Sequence, residues 1–182
     1  KKKLKVAKDL KGPEYQENAA ALEAVQPEDL KPGDIEARLG ASWIPPDQIE
    51  RFLANLTEVN LSTFNVSHVP VLASWTVELT HGYRYELDNS VGNNSTWGTN
   101  RIDAVSLVEL ALNGKIPTIT DRSEEGSVVN RQATDAAREK QYQIKQRFAA
   151  WIWEVKIGHD QKTVDELLRI YNDVFNNIRL RS

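Results

Sequence analysis

The chain has 182 residues, 40% of them apolar and 27% charged, with a formal net charge of −3. That is enough for one ordinary domain with its own core, and it excludes both a disordered chain and a uniformly basic partner for DNA. The absence of cysteine excludes disulfides, thiolate metal sites and cysteine nucleophiles.

Residues 1–11 concentrate six lysines against Asp9. Leu4, Val6, Ala7 and Leu10 mark a brief basic helix there, whose plain reading is a solvated face and whose sharper one is a phosphate contact. "GPEYQENAAALEAV" predicts a helix with Pro13 at a tolerated start. In "QPEDLKPGDIEARLG" two prolines interrupt the chain, Asp34 to Leu39 make one or two helical turns, and Gly40 ends them in a left-handed cap. "PPDQIERFLANL" begins the next helix, with Ile49, Phe52, Leu53 and Leu56 on one face. Trp43 and Ile44 form an extended pair between the two, read as a plug in the core. The rival is a DNA-reading helix-turn-helix, but the second helix opens on Asp47 and Glu50 and offers only Arg51 to a phosphate.

"VPVLASWTVEL" alternates Val71, Ala73, Trp75, Val77 and Leu79 with polar neighbours, the two-residue period of a half-buried strand. With "YRYEL" as the return strand, residues 70–87 are expected to form a hairpin. "DNSVGNNSTWGTN" reads as a polar loop. A helix follows from about Arg101, capped by Thr99 or Asn100, with Ile102, Val105, Val108 and Leu112 buried and Gly114 closing it. "KIPTITD" and "SVVN" predict a short strand pair. From Arg131 to Val155 runs a long helix with one stripe through Ala133, Ala137, Ile144, Phe148, Trp151, Ile152 and Val155. A second stripe of Tyr142, Ala149 and Trp153 suggests burial on two sides. A last helix spans Val164 to Ile178. The fold expected is α+β: short N-terminal helices (1–58), a small antiparallel sheet of hairpins (66–130) and a C-terminal helical hairpin (131–180), all in one domain.

No P-loop, G-x-G-x-x-G, H-E-x-x-H or G-x-S-x-G motif occurs. "DELL" at 165–168 lies on an amphipathic helix, and "IPPD" lacks the flanking residues of an adenine methyltransferase loop. His68, His81 and His159 fall in separate segments and read as turn or surface residues. Asp34 with Glu36, and Asp121 with Glu124 and Glu125, are carboxylate pairs of a kind common on solvated turns. Five Asn-x-Ser/Thr sequons (Asn55, Asn60, Asn65, Asn93, Asn94) read as by-products of an Asn/Ser/Thr-rich stretch. The strongest binding candidate is "NNSTWGTNR". Asn94, Thr96, Trp97, Thr99, Asn100 and Arg101 supply amides, hydroxyls, a stacking ring and a cation, the ingredients of phosphate and base contacts. Lys1, Lys2, Lys3 and Lys5 are added as phosphate contacts. The bland alternative is a loop pinned to the core by its tryptophan.

One segment resembles a known family. "ENAAALEAVQPEDLKPGDIEARLGASWIPPDQIERFL" is similar to a stretch of very large bacterial, phage and plasmid proteins that join an adenine-specific DNA methyltransferase-like region to a Swi/Snf-type helicase. The pattern N-x-x-A-L-x-x-V-Q-P-x-D-L is matched by Asn18, Ala21, Leu22, Val25, Gln26, Pro27, Asp29 and Leu30. D-I-x-x-R-L-G-A-x-W-I-P is matched by Asp34, Ile35, Arg38, Leu39, Gly40, Ala41, Trp43, Ile44 and Pro45. "WGTNR" resembles the family's Y-G-T-x-R with Trp97 for tyrosine, and "FAAWIW" and "YNDVFNNIR" resemble later steps.

The resemblance implies an intermediate piece of a longer polypeptide, as does the absence of methionine, in a mobile-element protein. It implies a non-catalytic accessory domain, not an enzyme. That domain would assist DNA binding and couple the flanking catalytic domains, with ATP and S-adenosylmethionine bound only there, and with no metal or cofactor in this segment. Its partners would be DNA and those domains. Apart from the resemblance, no apolar run approaches the roughly 20 residues of a membrane span and no signal-peptide pattern opens the chain, so no membrane partner and a cytoplasmic location are expected. The alternative is a structural or protein-interaction module without DNA contact, docking through the Trp153 stripe.

Overall fold

The computed structural model describes residues 13–24, 28–80, 82, 84–124, 126–156 and 159–176. The basic helix expected at residues 4–10 and the chain beyond 176 lie outside them. The architecture is α+β. The chain forms two compact units, residues 1–35 with 160–182, and residues 36–159.

The first unit holds helix α1 (Pro13–Ala24), a 3₁₀ turn (Pro32–Asp34) and a C-terminal helix, α6 (Gln161–Val174). The Asp160 carboxylate starts α6 by accepting from the Thr163 amide. Val164 and Leu167 are buried. The buried Asn172 side chain accepts from Leu30 N at 2.8 Å and donates to Leu30 O at 3.0 Å. One amide thereby satisfies both backbone groups of a residue that has no strand or helix partner.

In the second unit, helix α2 (Pro46–Thr57) follows the two prolines as expected. Ile49, Phe52 and Leu53 are fully buried, each contributing about 1.5–3 kcal/mol by removal from water. Phe52 meets Phe148 edge-on at 4.9 Å and Trp151 at 5.3 Å, forming the aromatic centre of the core. Trp43 and Ile44 are buried, but they sit in a turn rather than an extended pair. The helical turns expected from Asp34 to Leu39 are absent. That removes the first helix of any helix-turn-helix. Gly40 is left-handed, with φ +87°, and a Cβ there would strike the Leu112 carbonyl, so glycine is required by conformation and by space.

The hairpin is formed by residues other than those expected. Strand β1 (Phe64–Val69) pairs antiparallel with β2 (Ser74–Leu79), with Phe64 opposite Leu79 and His68 opposite Trp75. Pro70 opens a 3₁₀ turn and Ala73 adopts φ 47°, which reverses the chain between the strands. Of residues 83–87, expected as the return strand, Tyr83 lies outside the described residues, and the rest fall in a short helix, α3 (Arg84–Asp88), in which only Leu87 is buried. The alternation of Tyr85 and Leu87 with Arg84 and Glu86 suits a strand, and nothing in the local pattern explains the helix. Val71, expected in the strand, is 94% exposed at the tip.

Helix α4 (Ala104–Leu112) starts later than expected, because Asp103, not Thr99 or Asn100, caps it by accepting from Ser106 N at 2.7 Å. Its buried face is Ala104, Leu107, Val108, Ala111 and Leu112, with Ile102 and Val105 only half-buried. Strands β3 (Thr120–Ser123) and β4 (Gly126–Val129) form the second hairpin. Helix α5 (Arg131–Trp151) buries Ala137, Ile144, Phe148 and Trp151. The second stripe is not buried as a face: Tyr142 and Ala149 are exposed. Trp153 alone packs, stacked on Trp43 at 6.1 Å.

A two-stranded ribbon leaves both outer edges unpaired, and here helix side chains cover them. Glu50 of α2 accepts from Val66 N at 2.8 Å. On the other edge Glu109 of α4 accepts from Val77 N at 3.2 Å. Asn113 accepts from Trp75 N at 3.0 Å and donates to Trp75 O at 2.9 Å. The helices thus take the place of a third and a fourth strand.

Candidate nucleic-acid interface

The segment 92–101 is built on an anchored base. Ser90 Oγ donates to Thr57 O at 2.5 Å and accepts from Asn93 N at 3.0 Å. The buried Asn93 side chain accepts from Val105 N at 3.2 Å. Gly92 lies so close to α2 that a Cβ would sit 2.6 Å from Leu56 O. With these contacts the expected polar loop tightens into one π-helical turn, Gly92–Thr96. Of the paired sequons, Asn93 is buried at 2% exposure.

The candidate contacts divide into anchored and free groups. Asn94 is half-buried and donates to Asp88 O at 2.7 Å. Trp97 is half-buried. Thr99 Oγ1 accepts from Arg101 N and Ile102 N at 3.2 and 3.1 Å, so it shapes the turn. Thr96 and Asn100 are exposed. Arg101 forms an ion pair with Asp121 at 2.7 Å and donates to Thr120 O at 3.0 Å. The Asp121 carboxyl is held below its ordinary range by the Asn130 amide first and by Arg101 second. Lys1, Lys2, Lys3 and Lys5 lie outside the described residues.

Two participants escaped sequence reasoning. Lys140 of α5 donates from Nζ to Thr96 O at 2.7 Å, so a second cation joins the turn. Asp121, read as a solvated carboxylate, is the counter-ion of Arg101. Only a periodicity argument on α5 placing Lys140 toward residue 96 could have shown the first, and nothing local shows the second.

The histidines fare unevenly. His68 is half-buried and stacks on Trp75 at 4.0 Å, and His81 lies outside the described residues. His159, expected at a turn or surface, is buried at 1% exposure against Trp151, because the aromatic cluster that ends α5 closes over it. Glu36 pairs with Arg38 at 3.2 Å. Among the described residues no group of three or more His, Asp or Glu is placed to hold a metal, and no helix is long and apolar enough to cross a membrane.

Residues 38–177 match the family described as a domain of unknown function, DUF8437. The chain belongs to the DUF8437 family. The match takes in the whole candidate interface from Asn94 to Arg101 and its two added partners, Asp121 and Lys140, as well as the ribbon and its covering helices. No curated protein and no solved structure matches this DUF8437 chain.

Proposed function

We propose that this DUF8437 chain is a non-catalytic accessory domain that helps a DNA methyltransferase–helicase parent hold DNA and couples its flanking catalytic domains. One observation carries the DNA contact: Arg101 and Lys140 place two cations on a turn whose Thr96 and Asn100 are exposed. That combination suits sequence-independent contact with a phosphate backbone. The parent's identity rests on the resemblance at Asn18–Leu30 and Asp34–Pro45, and in this reading ATP and S-adenosylmethionine bind in the flanking domains.

The test is duplex binding at two salt concentrations. Arg101→Ala with Lys140→Ala is expected to weaken binding and to reduce the slope of log affinity against log salt by about 2. An unchanged slope, or no binding at low salt, ends the assignment.

The alternative, a protein-interaction module without DNA contact, is favoured by a different feature from the one expected. Trp153 stacks on Trp43 and is poorly available for docking. The ribbon tip instead exposes Val71 and Leu72, at 94% and 73%.

A further inference from the structure

A cavity of about 220 Å³ lies beside α2, lined among others by Arg51, Asn55, Leu61, Trp151, Lys156 and His159. Its lining includes two cations and no carboxylate, each cation being ion-paired outside the lining, Arg51 with Asp47 at 3.8 Å and Lys156 with Glu154. Two of the cavity's lining residues hold buried polar atoms, Trp151 Nε1 and His159 Nε2, with no hydrogen-bond partner among the described residues. Each belongs to a side chain only 1% exposed.

Their hydrogen-bonding senses are opposite. The indole N–H can only donate. His159 Nδ1 lies 2.7 Å from Glu154 O, a carbonyl that can only accept, so Nδ1 carries the proton. With that single proton on the ring, Nε2 is an acceptor. Lys156 and His159 exchange both backbone hydrogen bonds at 2.9 Å, which fixes them side by side. The Lys156 ammonium lies 5.8 Å from the Trp151 ring centre and 2.8 Å from Glu154, which Arg147 also holds.

We propose that this cavity binds a singly protonated phosphate group, as inorganic phosphate or as a phosphate monoester. Its charged oxygens accept from Trp151, Arg51 and Lys156, and its P–OH donates to His159 Nε2. A monoester suits this because its second ionisation lies at about pH 6, which keeps a P–OH form within reach of neutral pH. A phosphodiester and a sulfate have no proton to give, and leave Nε2 unpaired unless the ring first takes up a second proton. Both nitrogens belong to lining residues and are shut off from solvent. For a ligand to reach them, Arg51 and Lys156 must turn from their carboxylate partners, Asp47 and Glu154, towards it.

The experiment is calorimetric titration of the full chain with inorganic phosphate and with sulfate, near neutral pH and at matched ionic strength. Phosphate should bind, sulfate should bind at least about tenfold more weakly, and the Trp151 indole N–H resonance should move with phosphate. His159→Asn keeps a donor for the Glu154 carbonyl but has no acceptor at the Nε2 position, and should reduce phosphate to the sulfate level. Lys156→Met, on the rim, should weaken both anions alike, which keeps the test decisive if the first variant does not fold.

A 5′-phosphorylated oligonucleotide that displaces phosphate, when its 5′-hydroxyl counterpart does not, would identify a nucleic-acid end as the source. Failure of both would identify the free ion. Equal displacement by the 5′-hydroxyl strand, equal sulfate binding, or no phosphate binding because water alone fills the cavity, would each overturn the proposal.

Discussion

Asp121 competes for Arg101 with any phosphate that approaches the turn. Asp121→Asn removes that competing charge, and duplex affinity at low salt is expected to rise by a few-fold, against a fall for Arg101→Ala. A filter-binding comparison of the two variants checks the sign. Glu154 carries the larger electrostatic consequence. Hydrogen bonds from Arg147 and then Lys156 lower its carboxyl from an ordinary 4.5 to about 2. The unfolded chain therefore takes up this proton first as pH falls. The stabilisation is complete above the ordinary value and is lost progressively towards pH 2. Glu154→Gln should flatten that part of the pH dependence of the urea midpoint. Its side chain is 40% exposed, so solvent screening keeps the contribution modest.

At the scale of elements, the ribbon β1–β2 depends on side chains of helices distant in sequence. Asn113→Leu keeps the branched outline of the side chain but strands both Trp75 backbone groups, and is expected to cost about 1–3 kcal/mol in denaturant unfolding. A cost near zero would mean that water replaces the amide. This dependence also explains what sequence could and could not reveal. The α2 face of Ile49, Phe52, Leu53 and Leu56 was legible because its period is local. Strand β1 was obscured: Phe64 and Val66 alternate with Asn65 and Ser67, but the period is short and sits in a stretch rich in Asn, Ser and Thr from Asn60 onward. The cap of α4 was misplaced by three or four residues for a similar reason, since Thr99 and Asp103 both have the chemistry and only the anchoring of Asn93 to Val105 decides between them. At the candidate interface the turn residues were legible by type. Their restraint by Asp88, Asp121 and Lys140 was not, because each partner arrives from another element.

At the scale of the whole molecule, residues 36–159 contain their own aromatic core, both hairpins and the candidate interface. A polypeptide of those residues alone is expected to unfold cooperatively, with coincident transitions by circular dichroism and fluorescence. Non-coincident or gradual loss would show that its core is incomplete. The distribution of indole rings gives this unit a private optical signal. All five tryptophans, Trp43, Trp75, Trp97, Trp151 and Trp153, fall within it, and three are buried. Emission excited at the red edge of protein absorbance therefore reports on this part of the chain alone, while the other unit, with tyrosine and phenylalanine only, stays dark.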